Sequence, residues 1–258
     1  MKVGIIGAGA IAGTMAGTIR EMDCAQNYAV AARDYGRAAE FAQTYGFEKA
    51  YGSYEELVED AGVELVYIAT PHSHHYEHIK LCLNHGKHVL CEKSFTVNES
   101  QAREVLALAR EKKLLLTEAI WTRYMPMRKT LDSVLSSGII GRPYMLTANL
   151  GYIISGKERI MRPELAGGAL LDVGIYPLNF ASMVFGDEVD SITGTAVMTE
   201  TGVDAQNSIT ITYKDGKMAA LCSSAMGLSD RRGIIYGDNG FIEVENINNC
   251  EGLSLIHI

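Results

Sequence analysis

The sequence lacks several features that would point to particular classes of protein. No run of 18 apolar residues is present, and the most apolar stretch, Gly167 to Phe185, is interrupted by Asp172, so no membrane-spanning helix is predicted. The chain has 23 Lys and Arg against 31 Asp and Glu, a net charge of −8. It therefore has no basic surface for nucleic acid or an anionic membrane. The first residues, Met-Lys-Val-Gly-Ile-Ile, lack the layout of a signal peptide, which favours a cytoplasmic protein.

Cysteines are few, and their spacing does not fit a metal site. The five lie at positions 24, 82, 91, 222 and 250, and none forms a Cys-x-x-Cys motif. An odd number at such spacing argues for a reducing compartment and against structural zinc. His72, His74 and His75 are close in sequence but have no carboxylate or thiol at ligand spacing on their loop, so no metal is predicted.

Residues 2–119 alternate between short apolar runs and segments of helical periodicity. This alternation predicts an α/β fold with a doubly wound parallel sheet, the Rossmann type, in a first domain of residues 1–120. The predicted strands are Val3–Ile6, Tyr28–Ala32, Glu64–Thr70, Lys87–Cys91 and Leu114–Glu118. The predicted helices are Ala10–Glu21, Gly36–Tyr45, Tyr54–Asp60, His74–His85 and Glu99–Lys112.

Residues 121–258 have a different pattern, typical of an α+β domain with an open, mostly antiparallel sheet. Helices are predicted at Met125–Ser137 and Gly168–Phe185, and hairpin turns at Asp215-Gly216 and Asn239-Gly240. The predicted strands are Pro143–Tyr152, Ser191–Glu200, Ser208–Tyr213, Lys217–Ser224, Gly233–Tyr236 and Phe241–Val244. The apolar residues 252–258 are either a docked terminal strand or the end of an incomplete domain.

A glycine-rich loop lies between the first predicted strand and the first predicted helix. Gly7-x-Gly9-x-x-Ala12 has the dinucleotide-binding spacing, with Ala in the third position. Gly7 permits a tight turn, Gly9 lets a pyrophosphate approach, and Ala12 allows close packing of the helix on the strand. The following amides, at Ala10 and Ile11, would bind the phosphates. The alternative is a glycine turn that only connects two elements.

The end of the second predicted strand bears on the choice of cofactor. Many NAD-binding proteins place an acidic residue there, whereas this strand ends Ala31-Ala32-Arg33-Asp34. Arg33 can pair with a 2′-phosphate, which favours NADP. Asp34 lies one residue beyond the position of the acidic residue in NAD-binding proteins, and it is suited to cap the following helix. If Arg33 is only a solvated side chain, NAD remains possible.

Polar residues follow the later strands at the edge where ligands bind in such sheets. Those expected to face the cofactor are Thr70, Pro71, His72, His75, Glu92, Lys93, Trp121 and Arg123. Lys93 directly follows a strand and is either a proton-transfer residue or a surface charge. Asp172 and Tyr176, four residues apart, share one helix face; the alternative for Tyr176 is a packed core residue.

These patterns together resemble the glucose-fructose oxidoreductase/inositol dehydrogenase (Gfo/Idh/MocA) family. The resemblance rests on the glycine-rich start, on Glu92-Lys93, and on Gly167-Gly168 followed by Asp172-x-Gly174-x-Tyr176. It covers essentially the whole chain. The stretches most similar to the dimeric dihydrodiol dehydrogenase and NADP-dependent D-xylose dehydrogenase branch are Ala31–Asp34, Ala50–Leu57, Glu118–Tyr124, Gly168–Tyr176 and Glu200–Asp204.

The resemblance implies a site and an assembly. Tyr176 would be the general acid/base, Lys93 would lower its pKa, and Asp172 would face or orient the substrate. His75 and Trp121 would line the pocket near the nicotinamide. The open sheet of the second domain would form the interface of a homodimer or a higher homo-oligomer.

The sequence departs from the family pattern in three places. Ser94 replaces the usual Pro after Glu-Lys, which is expected to loosen the Lys93 loop. Tyr176 stands where many relatives have His, which points to the dihydrodiol and xylose branch. The family continues further than residue 258, which favours an incomplete second domain.

The sequence thus predicts an NADP-dependent oxidoreductase acting on a hydroxyl or carbonyl carbon of a pyranose sugar or cyclic trans-diol. Two alternatives are a non-catalytic NAD(P)-binding sensor and a redox-assisted glycoside-cleaving enzyme that retains NAD. Tyr152, Arg159 and Arg162 are either substrate-facing residues or part of an exposed loop.

Overall fold

Two separate sheets organise the computed structural model, which describes residues 1–257. One sheet lies in unit 1, Met1–Ala119, and the other in unit 2, which begins at Ile120. Unit 1 contains β1 (Lys2–Ile6), α1 (Ala10–Arg20), β2 (Gln26–Ala31), α2 (Tyr35–Tyr45), β3 (Lys49–Tyr51), α3 (Tyr54–Glu59), β4 (Leu65–Ile68), α4 (His72–Asn84), β5 (His88–Cys91), α5 (Glu99–Lys112) and β6 (Leu116–Glu118).

The sheet of unit 1 is parallel throughout and has the order β3-β2-β1-β4-β5-β6. This confirms the doubly wound sheet. The strand order reverses beside β1, and ligands bind in such sheets at the crevice formed there. The three-residue strand β3 was not predicted, because so short a run carries no usable periodicity.

The strands of unit 1 bury both faces because successive side chains point to opposite sides. Ile6 of β1 belongs to a core with residues of α3, α4 and α5, whereas Ile5 packs with residues of α1 and α2. Helices therefore cover both faces, which accounts for the nearly continuous apolar composition of the strands.

Unit 2 combines two α-helices with a seven-stranded sheet. Its elements are α6 (Pro126–Ser136), β7 (Pro143–Gly151), α7 (Ile175–Phe185), β8 (Val189–Met198), β9 (Asp204–Tyr213), β10 (Met218–Ser224), β11 (Gly233–Gly237), β12 (Gly240–Glu245) and β13 (Gly252–His257). The strand order is β13-β12-β11-β7-β10-β9-β8, and β7 with β10 is the parallel pair within the described residues. This confirms the mostly antiparallel sheet, in which β13 pairs with β12 at one edge.

One face of this sheet, the inner face, packs against α7. Phe180 of α7 lies in a core with Leu146, Leu221 and Ile235, which come from three strands. The opposite, outer face has an apolar row that crosses five strands in register. This outer row consists of Ile256, Phe241, Tyr236, Met145 and Met218.

The helix predicted over Gly168–Phe185 is not uniformly α-helical. Leu170–Gly174 form a π-helical turn, and the α-helix begins only at Ile175. The segment Pro163–Phe185, with a mean hydropathy of 1.3, is apolar and long enough for a membrane span by composition alone. More than half of its most apolar 18-residue window is buried inside the protein, as in a core helix of a folded unit.

Asp60 connects several elements of unit 1. Its carboxylate accepts hydrogen bonds from Lys49 Nζ at 2.8 Å, Tyr51 Oη at 2.8 Å and the Gly62 amide at 2.8 Å. Its carbonyl accepts a bond from Lys87 Nζ at 2.7 Å. Burial raises the pKa of the Asp60 carboxyl, but these donors outweigh burial and lower the pKa to about 2.

Replacing Asp60 with Asn is expected to lower the free energy of unfolding at pH 7 by about 1–3 kcal/mol, because charged hydrogen bonds are lost. A carboxylate with a lowered folded pKa stabilises the protein above its unfolded pKa, near 3.8, and loses that effect as the pH falls towards 2. The difference between the two proteins should therefore shrink below pH 4. Urea unfolding at pH 7, 4 and 3 measures the free energy of unfolding of both proteins and so this difference.

Asp23→Asn, a change at an exposed acid, serves as the control and should alter stability little. A constant difference between the Asp60 variant and the unchanged protein at all three pH values would contradict the role of the carboxylate charge.

Candidate active site

The glycine loop of unit 1 makes a tight turn into α1. Gly7 has φ +99°, donates its N–H to the Ala31 carbonyl at 2.9 Å, and lies so close to Ala69 that a Cβ would stand 3.0 Å from its carbonyl oxygen. Gly9 is the N-cap of α1 and supplies no capping side chain. Apart from its neighbours in the chain, no heavy atom of the described residues lies within 4 Å of the position that a Cβ of Gly9 would occupy.

This amino end of α1 fits a dinucleotide phosphate. The first amides of the helix, at Ala10 and Ile11, have no side-chain cap, and the first turn contains no acidic residue. Backbone donors and the helix dipole therefore favour an anion there. Ala12 is fully buried, as close packing of the helix on the sheet requires.

Two arginines lie close in sequence after β2. Asp34 caps α2 by accepting the Arg37 amide at 2.7 Å, and Arg33 is exposed without a hydrogen bond or ion pair to another described residue. Arg37 donates through Nε and Nη2 to the Ala8 carbonyl at 3.2 and 2.9 Å, so it holds the glycine loop. Arg37 was not among the predicted site residues, although its position one helical turn after Arg33 was a usable signal.

His75 joins two loops at the strand ends. Its Nδ1 lies 2.7 Å from the Ser94 carbonyl and its Nε2 lies 2.8 Å from the Thr70 carbonyl. The side chain is fully buried, and burial lowers its pKa despite these carbonyls. Because both ring nitrogens face backbone oxygens, His75 fixes the loop after Lys93. Its predicted contact with the nicotinamide stays a prediction.

The Thr70–Pro71–His72 segment forms the start of α4, with Pro71 as its N-cap and His72 buried. The Thr70 hydroxyl lies 3.0 Å from Nδ1 of His78, which the sequence analysis did not single out. Burial lowers the pKa of His78 to about 4. A neutral His78 therefore orients the Thr70 hydroxyl at neutral pH.

Lys93 follows β5 in a loop with several anchors. Glu92 is buried and accepts a hydrogen bond from the Tyr67 hydroxyl. The Phe95 amide donates to Glu118 Oε1 at 3.0 Å, and the Lys93–Ser94 peptide bond is cis. The hydrogen bonds of Glu92 and of the Phe95 amide thus hold the loop on either side of Lys93 and Ser94.

The π-helical turn of unit 2 carries Asp172, and Tyr176 follows in the first turn of α7. Asp172 is buried and forms an ion pair with Arg159 Nη1 at 2.8 Å. Tyr176 is 5% exposed, and its ring centroid lies 5.5 Å from that of Trp121. The structure therefore brings together Asp172 with Arg159, and Tyr176 with Trp121.

The remaining predicted residues of unit 2 have identifiable partners. Arg123 donates to Asn179 Oδ1 at 2.5 Å and to Ser182 Oγ at 2.9 Å, both on α7, so its predicted cofactor contact stays a prediction. Arg162 pairs with Glu158 and Glu164 at 2.7 and 3.0 Å.

Trp121 Nε1 donates to the Asn248 carbonyl at 2.5 Å, a contact across 127 positions that no local pattern predicts. The described residues contain no group of three or more potential metal-ligating side chains.

Comparison with known proteins identifies both halves of the chain. A model of an oxidoreductase family with an NAD-binding Rossmann fold, GFO_IDH_MocA, matches residues 1–120. A model of the GFO/IDH/MocA C-terminal domain matches residues 129–243.

Similar whole proteins include two dehydrogenases. The trans-1,2-dihydrobenzene-1,2-diol dehydrogenase of Xenopus laevis is 40% identical over 220 residues, which are 85% of this chain and 67% of that protein. The Homo sapiens protein of that name is 39% identical over 250 residues, or 95% of this chain and 75% of that protein.

Solved structures share the fold. A 3-ketoreductase from Actinomadura kijaniata, crystallised with NADP and TDP-benzene, matches with a TM-score of 0.92 at 24% identity, over all of this chain and 84% of that one. An aldose-aldose oxidoreductase from Caulobacter crescentus, complexed with glycerol, has a TM-score of 0.90 at 20% identity, over 99% of this chain and 79% of that one. Since two family models together span most of the sequence and dehydrogenases 39–40% identical to it align over at least two thirds of their length, the chain belongs to the Gfo/Idh/MocA family of NAD(P)-dependent oxidoreductases.

Proposed function

We propose that this oxidoreductase uses NADP and acts on a hydroxyl or carbonyl carbon of a pyranose sugar or cyclic trans-diol. The observation that carries the cofactor preference is Arg33, an exposed cation without an ion pair among the described residues, at the end of β2. The relatives named as diol dehydrogenases and the sugar-processing structural neighbours support the substrate class.

The residues that would hold the cofactor lie in unit 1. The amides of Ala10 and Ile11 bind the pyrophosphate in the open space beside Gly9, and the Arg33 guanidinium pairs with the 2′-phosphate. Arg37 keeps the glycine loop in shape through the Ala8 carbonyl. When bound, NADP supplies or accepts the hydride at its nicotinamide ring.

Residues of this chain exchange the proton with the substrate oxygen. Tyr176 exchanges a proton between its hydroxyl and the substrate oxygen, and the role of Lys93 in this step rests on the family resemblance. The packing of Tyr176 against Trp121 supports this, because it fixes the direction of the phenol. Asp172, held by Arg159, orients a substrate hydroxyl.

Tyr176→Phe removes the hydroxyl and keeps the ring. Turnover should fall by about 10²-fold or more, as expected for the loss of a positioned acid/base, with nearly unchanged NADPH affinity. Turnover is measured from NADPH absorbance in the presence of sugars and trans-diols, and affinity from NADPH fluorescence. Tyr144→Phe, at an exposed tyrosine of β7, is the matched control. Near-normal turnover of the Tyr176 variant would rule out the acid/base assignment.

Arg33→Ala should weaken NADPH binding by about 10- to 100-fold, because charge-assisted hydrogen bonds to a phosphate are lost. NADH, which has no 2′-phosphate, should bind with little change. Fluorescence titration with each cofactor measures the ratio of the NADPH and NADH dissociation constants. Arg20→Ala, at the exposed end of α1, is the control. Equal weakening of both cofactors would exclude a 2′-phosphate contact.

We also propose that two copies associate through the outer face of the sheet in unit 2. The outer row presents contiguous apolar side chains across five strands, and Tyr236 and Phe241 lie with ring centroids 5.9 Å apart within it. A continuous apolar row on an exposed sheet face favours burial against a complementary surface. A second copy supplies the same row in a two-fold arrangement.

Met218→Glu places a charge within the outer row and should weaken self-association by about 10-fold or more. Leu106→Glu on α5 is the matched control, because Met218 and Leu106 are both 38% exposed. Sedimentation velocity over a concentration series measures the effect. If the unchanged protein stays monomeric, or if the Met218 variant associates as well as the control, the proposed interface is wrong.

A further inference from the structure

Three polar side chains converge in unit 2 beyond the carboxyl end of β7. Arg231 Nη1 donates to the Tyr152 hydroxyl at 3.3 Å, and that hydroxyl donates to Asn248 Oδ1 at 3.3 Å. The Arg231 guanidinium also lies over the Tyr152 ring, 5.7 Å from its centroid. We call Tyr152, Arg231 and Asn248 the polar corner.

Arg231 is held in an unfavourable backbone conformation. Its φ is +60°, in the left-handed region that residues with a Cβ rarely adopt. Its amide donates to Asn149 Oδ1 at 3.1 Å and to Ser229 Oγ at 3.2 Å, and its carbonyl accepts the Ile247 amide at 2.8 Å. Such a conformation persists only where the surroundings enforce it, and it is often found at functional sites.

The charge of Arg231 has no acidic partner among the described residues. Its side-chain hydrogen bond goes to a neutral phenol. The adjacent Arg232, in contrast, pairs with Glu243 at 2.8 Å. Glu251, whose charge acts on Arg231, accepts a hydrogen bond from Asn246 Nδ2 at 2.8 Å and forms no ion pair with the guanidinium.

The polar corner is linked to Tyr176 by direct contacts. The Asn248 carbonyl accepts the Trp121 indole N–H at 2.5 Å, and the Trp121 ring packs against that of Tyr176. A series of contacts thus runs from Tyr176 through the Trp121 ring to Asn248, Tyr152 and Arg231. All five residues belong to unit 2.

We propose that Arg231 binds an anionic oxygen group, a carboxylate or a phosphate, at the end of the substrate remote from the carbon that exchanges hydride. Within the described residues the guanidinium keeps donors without a partner, and such donors match both anions in geometry. This inference rests on the proposed function, since it assigns a substrate class to the site around Tyr176. It narrows that class to sugars or diols that carry an acidic substituent.

The test uses the one tryptophan of the chain, Trp121, as a binding reporter. The probes are D-glucuronate, D-glucose 6-phosphate and D-glucose, which differ in the group on one terminal carbon. The unchanged protein, saturated with NADP, should bind one or both anions about 10- to 100-fold more tightly than D-glucose, as read from Trp121 fluorescence. Tighter binding of D-glucuronate would show that the subsite prefers a carboxylate, and tighter binding of D-glucose 6-phosphate would show that it prefers a phosphate.

Arg231→Gln should abolish this preference, so that all three probes bind with similar Kd, while Arg231→Lys should retain part of it because the charge remains. In turnover, the loss should appear in KM for the anionic probe and not in kcat, as expected for uniform binding. Arg232→Gln, at a neighbouring arginine that has its own acidic partner, is the control and should keep the preference.

The two proposals fail in different ways. An unchanged protein that binds the three probes equally, or an Arg231→Gln variant that keeps the preference, would overturn the anionic subsite. Turnover of neutral diols with NADPH would still stand in that case. Preferential anion binding without hydride transfer to any sugar or diol would instead contradict the proposed function and leave the subsite in place.

Discussion

The chemistry of unit 1 depends on the amino end of α1. Its first backbone N–H groups have no side-chain cap and no acidic neighbour in the first turn, and they would stay unsatisfied without water or a ligand. Gly7 and Arg37 shape the loop before this end, through the Ala31 and Ala8 carbonyls respectively. The strand order reverses at the same place, since β1 lies between β2 and β4. Sheet topology and local backbone conformation therefore create one anion site together.

In unit 2, the apolar segment that leads into α7 buries the carboxylate of Asp172. A buried charge requires a partner, and Arg159 provides it for Asp172. The turn that carries Asp172 is π-helical, a geometry often found at functional sites, and α7 begins directly after it. Tyr176 lies in that first α-helical turn and packs against Trp121, so its phenol has a fixed direction.

Features with a local pattern could be predicted from the sequence, and those that depend on distant contacts could not. Periodicity was sufficient to predict the parallel sheet, and the spacing of Gly7, Gly9 and Ala12 was sufficient to predict the tight turn before α1. The π-helical turn was not predictable, because its apolar composition equals that of an α-helix. The partners of Arg123 and Trp121 were missed for another reason: Asn179 and Asn248 lie 56 and 127 positions away in the sequence.

The central position of β7 has a consequence for the order of folding. Its two neighbours in the sheet, β10 and β11, both follow it in the chain, separated from it by α7 and the β8–β9 hairpin. During synthesis the backbone N–H and C=O groups on both sides of β7 therefore stay unpaired until later strands are made. The pairing of β7 is a slow step because its partners are distant in the sequence. Strands of unit 1 pair mostly with neighbours in sequence, so unit 1 can fold while unit 2 is still being made. The nascent chain then carries an unpaired β7 until β10 and β11 have been made.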